Sequence, residues 1–122
     1  MNTILWIAQI LLAAAFLYSG ICKTILPEQQ LIARGQTGVA GLQPGKIKFI
    51  GISEIAGSIG IILPWALNIL PFLTIASAAC FAVLMLLAAP IHYRLKEPRN
   101  VATNMTLLLL SLFVILGRSG IL

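Results

Sequence analysis

The chain has 122 residues, of which 60% are hydrophobic and only 9% charged, and its mean hydropathy is +1.04. Soluble domains carry about 25% charged residues, so this composition excludes a water-soluble globule, and the length leaves room for one domain. The net charge of +5 sets eight Lys and Arg against Glu28, Glu54 and Glu97. The cations flank apolar stretches, the pattern of a membrane topology signal, and no nucleic-acid partner is expected.

A first helix is expected over 3–26, stopped by Pro27. It lacks a basic leader and runs apolar up to Lys23, which suits a retained span rather than a cleaved signal. The segment 27–46 holds Gly35, Gly38, Gly41, Pro44 and Gly45 alongside Leu31, Ile32, Val39 and Leu42. It reads as a flexible re-entrant or surface loop. Residues 55–93 carry no Lys, Arg, Asp or Glu. As one helix they would extend about 58 Å at 1.5 Å per residue, twice the roughly 30 Å hydrocarbon core. Pro64, Asn68 and Pro71 therefore mark a turn between a second helix over 47–63 and a third over 72–95. Pro90 is expected to kink the third helix near its end. Lys96 to Asn100 form a tight polar turn, and a fourth helix covers 101–118. The fold expected is all-α, a polytopic membrane four-helix bundle.

With four spans, Lys23, Arg34, Lys46, Lys48, Arg94, Lys96 and Arg99 fall at one end and Arg118 at the other. The positive-inside rule then puts both charged loops in the cytoplasm and both termini outside, in a bacterial inner membrane. Cys22 and Cys80 are isolated, without a C-x-x-C motif, and read as free apolar thiols.

Ionisable side chains inside a span are costly, so they mark either structural locks or sites. Glu54 stands seven residues into the second helix, where a carboxylate must be paired or protonated. Lys23 follows Ser19 by four residues, on one face of the first helix. It reads equally as a headgroup snorkel or as a partner for Glu54. His92, the one histidine, lies a turn before the third helix ends and fits an interfacial group as well as a ligand. With the helix ends aligned, Lys23, Glu54, His92 and Ser19 can form one ligand-binding or polar core layer. Asn104, Ser111 and Arg118, seven apart, make a second polar stripe for which interhelical hydrogen bonds and an interfacial anchor suffice. Gly51, Gly57 and Gly60 read as helix-packing positions. One histidine and one membrane carboxylate do not make a metal site, and the sequence shows no catalytic constellation.

Taken in order, several stretches resemble the DoxX-like family of small four-helix membrane proteins. They are Ser19-Gly20-Ile21-Cys22-Lys23, then Phe49-Ile50-Gly51-Ile52-Ser53-Glu54-Ile55-Ala56-Gly57-Ser58-Ile59-Gly60 with Leu63-Pro64. They continue through Met85 to His92, Arg94-x-x-Glu97 and Gly117-Arg118. Pro90-Ile91 departs from the straighter helix expected in the family. The family name goes back to a small subunit of a thiosulfate:quinone oxidoreductase, and relatives include an animal assembly chaperone for nicotinic receptors. The resemblance implies a non-catalytic accessory protein that binds a lipophilic molecule, a membrane-protein partner or further copies of itself. The alternative is a membrane subunit of a quinone-linked oxidoreductase, the one reading that would bring in a cofactor, a quinone. A small multidrug-type exporter fits less well, because that class carries its carboxylate in the first helix and this chain does not.

Overall fold

The computed structural model describes residues 1–121. Its helices are α1 (Asn2–Ile25), the short α2 (Glu28–Ala33), α3 (Pro44–Leu67), α4 (Phe72–Arg94) and α5 (Pro98–Arg118), with a single 3-10 turn at Thr37–Val39. Four of these, α1, α3, α4 and α5, are long and apolar enough to cross a membrane. They close a ring in which α1 packs on α3, α3 on α4, α4 on α5 and α5 on α1. Chain direction alternates around that ring, so every neighbouring pair is antiparallel.

Helical periodicity decides which side chains enter the bundle. On α3 the buried residues are Ile47, Gly51, Glu54, Ser58 and Ile61, spaced by four and three, the seam of a packed helix. Asn104, Leu108, Ser111 and Val114 repeat the pattern on α5. The opposite faces carry exposed Ile7, Ile10, Ile52, Ile59, Leu86, Leu87 and Leu109, which lipid covers in a membrane. At the centre Phe16 of α1 stacks on Phe81 of α4 across the ring, with centroids 3.8 Å apart and planes 5° from parallel. A Cβ on Gly57 would come within 2.6 Å of Phe81, so this glycine makes room for the aromatic pair.

One expectation about elements needs correction. The second span does not stop at residue 63: α3 runs through Pro64 to Leu67. Proline leaves the carbonyl four residues earlier without its helical donor. Here Thr74 Oγ1 of α4 donates to the Gly60 carbonyl at 3.1 Å, and Gln9 Nε2 of α1 donates to the next carbonyl, Ile61, at 2.6 Å. Neighbouring helices supply what the proline removes. The turn to α4 is then made by Asn68 and Leu70, both left-handed at φ 54° and 47°. The 27–46 segment is not unstructured. It carries α2 and the 3-10 turn, and it buries Leu31 and Val39 against Cys22 and Ile47.

Candidate functional site

The site lies at the basic end of the bundle, between the membrane helices and the folded-back loop. Its first component depends on a close approach of two backbones. A Cβ on Gly20 would stand 2.6 Å from the Gly51 carbonyl oxygen, and one on Gly51 would stand 2.8 Å from the Gly20 carbonyl oxygen. With glycine at both places α1 and α3 touch. Three residues further on each helix stand Lys23 and Glu54. Lys23 Nζ meets Glu54 Oε1 at 2.5 Å, with the Glu54 side chain 2% exposed and that of Lys23 16%. A carboxylate this far from water requires such a partner.

The second component closes the other wall. His92 Nδ1 and Glu97 Oε1 are 2.8 Å apart, across the turn joining α4 to α5. Thr37 Oγ1, from the loop, donates to the same carboxylate oxygen at 2.6 Å. These hydrogen bonds, first from His92 and then from Thr37, hold the Glu97 carboxyl below the ordinary carboxylate pKa. Beside them Ser19 Oγ donates to Gln36 Oε1 at 3.2 Å, and Gly38 lies against the His92 ring. The loop is thus fastened to α1 by Gln36 and to the α4–α5 turn by Thr37.

Between these components opens a cavity of about 420 Å³. Phe16, Leu84, Met85 and Leu107 are among its apolar walls, while Ser19, Lys23, Gln36, Glu54, His92 and Asn104 are among its polar groups. Lys23, Glu54, His92 and Ser19 therefore share one cavity, though of the four only Lys23 and Glu54 pair with each other. His92 bonds Glu97 and the loop, and neither Lys23 nor Glu54.

The second stripe divides. Asn104, Ser111 and Arg118 do share the inner face of α5, but Asn104 lines the cavity while Ser111 bonds the Leu107 carbonyl of its own helix. Arg118 closes the far end. Its Nε donates to Gln9 Oε1 and its Nη1 to Asn2 Oδ1, each at 2.7 Å, and the guanidinium lies over Trp65 at 4.6 Å and Trp6 at 5.4 Å. Gln9 thus links Arg118 to the Ile61 carbonyl, three residues before Pro64. Gly51 and Gly57 sit at close helix contacts, and a Cβ on Gly60 would strike Ser77 of α4.

Gln9, Gln36, Thr37 and Glu97 are the functional-site and packing residues that pattern reading passed over. Gln36 and Thr37 sit in a glycine-rich segment without periodicity, and Glu97 looks like any solvated turn carboxylate. Gln9 alone carried a signal, an amide in an otherwise apolar span.

Four antiparallel apolar helices, an ion pair buried at a glycine crossing and a folded cap over one end define a small polytopic integral membrane protein. The family model described as the DoxX-like family matches residues 7–114, taking in the cap and nearly all of the four helices. The chain belongs to the DoxX-like family. No curated protein and no solved structure matches it.

Proposed function

We propose that this DoxX-like protein is a non-catalytic accessory protein that holds a lipophilic molecule in the cavity beneath its loop. The observation that carries the reading is the cavity's composition: an apolar chamber of about 420 Å³ with its polar groups gathered around the Lys23–Glu54 and His92–Glu97 pairs. Small-molecule sites have this character, mostly apolar with a few placed polar groups, and begin at about 300 Å³. The Lys23–Glu54 ion pair and the His92–Glu97 hydrogen bond are both closed within the protein, which suits holding a guest better than transforming it.

Native mass spectrometry of the protein extracted in a mild detergent tests this. A small molecule should stay bound to the wild type and be lost from a cavity-filling variant, Ala88→Phe, that remains folded. A wild type without any retained mass, and equal behaviour of the two proteins, would overturn the reading.

The oxidoreductase alternative draws on one observation: His92, on the cavity wall, is hydrogen-bonded to Glu97, the kind of pair a proton relay uses. It requires a dehydrogenase partner in the same membrane. Co-purification of such a partner with the wild type, disrupted by cavity filling, would favour it.

A further inference from the structure

Lys23 and Glu54 in the cavity are already matched to each other, and His92 is matched to Glu97. What remains unmatched is neutral. Among the described residues, Gln36 Nε2 and Asn104 Nδ2 are buried amide nitrogens without a hydrogen-bond partner, and both side chains line the cavity. Asn104 is 8% exposed and projects from α5, while Gln36 comes from the loop. Ser19 Oγ holds the Gln36 carbonyl oxygen, which commits the other end of that amide, the donor, to remain free. Buried donors are nearly always satisfied, because leaving one unmade costs more than a made bond returns.

Resting on the lipophile reading above, we infer that the guest is an uncharged lipophile whose polar end is a carbonyl oxygen, received by the amides of Gln36 and Asn104. A carbonyl oxygen has two lone pairs and can accept from both donors. An anionic head would need a cation that is free, and Lys23 is held by Glu54. A hydroxyl head accepts as well but needs an acceptor for its own proton, whereas a carbonyl is satisfied by the two donors alone. The carbonyl can belong to a free ketone-like lipophile or to the ester of a membrane lipid, and the two share the same chemistry at the site.

The test uses the full chain in a maltoside detergent, which has no carbonyl group. Binding of a medium-chain methyl ketone, the alkane and the carboxylate of equal length is read from shifts in the melting temperature. The ketone should bind about tenfold tighter than the alkane, the worth of one net hydrogen bond. Asn104→Leu and Gln36→Met should each weaken that preference and together erase it, while alkane binding persists. A second arm repeats the ketone titration in nanodiscs. Weak ketone binding in diester lipid with full binding in diether lipid identifies the natural occupant as a lipid ester; full binding in both identifies a free lipophile. Equal binding of ketone and alkane, a tighter carboxylate, or a preference that survives both substitutions would overturn the inference and leave the lipophile reading standing. No binding of any of the three probes would bring down both.

Discussion

Glu54 is buried to 2% yet sits in a span that lipid surrounds, so its partner decides whether the fold tolerates it. The pairing with Lys23 is made by glycine at 20 and 51, since any larger residue there would hold α1 and α3 apart. Removing one member of a buried pair leaves an uncompensated charge and costs about 3–5 kcal/mol, while removing both approaches neutrality. Glu54→Gln and Lys23→Met should each lower the thermal stability of the detergent-solubilised protein, and the double variant should regain most of the loss. Additive losses in the cycle would show that the pair does not lock the helices. Neither single variant should abolish ketone binding, because the inferred donors are Gln36 and Asn104.

At the scale of elements, α3 and the loop each depend on groups from elsewhere in the chain. Pro64 is held inside a continuous helix by Thr74 and Gln9, which reach its freed turn from α4 and α1. Thr74→Val should therefore cost about 1 kcal/mol in the wild type. In a Pro64→Ala background the residue at 64 has an N–H for the Gly60 carbonyl, and the same substitution should cost clearly less. Equal costs in calorimetry of the four proteins would disconnect Thr74 from the proline. The loop's fastening is pH-dependent through Glu97. Its carboxyl titrates below the ordinary value of 4.5 because His92 and Thr37 bond the ionised form. A depressed folded-state pKa means the contribution is fully present above the ordinary value and is lost as pH falls through the lowered one. A spin label at Ala40→Cys, with Cys22 and Cys80 replaced by Ala, should be immobile at neutral pH and gain mobility well below pH 4.5. In Glu97→Gln the label should be mobile at both.

For the whole molecule, the alternating ring puts Lys23, Arg34, Lys46, Lys48, Arg94, Lys96 and Arg99 at the end that carries the cavity and the loop, and leaves Arg118 at the other. Such an imbalance in short loops orients a membrane protein with the basic end toward the cytoplasm. A periplasm-active phosphatase fused after residue 122 should accordingly be active, and one inserted in the loop after Gly41 inactive. The reverse pattern at normal expression would invert the molecule. In the expected orientation the cavity faces the cytoplasmic side of the bilayer.

Four membrane helices, their charged end and the depth shared by Lys23 and Glu54 were all readable from the chain, because burial in lipid is set by local runs of apolar residues and by where charges interrupt them. The reading failed where distant residues decide. Pro64 looks like a helix stop until Thr74 and Gln9, each distant in sequence, take up the carbonyls it disturbs. His92 looks unassigned until the α4–α5 turn brings Glu97 back to it, and Gln36 and Thr37 look like surface residues until the loop folds under them. Apolar periodicity is written along one helix, whereas a hydrogen bond between two elements exists only once packing has set their distance. The positions of those bonds, and the cavity they enclose, belong to the tertiary structure alone.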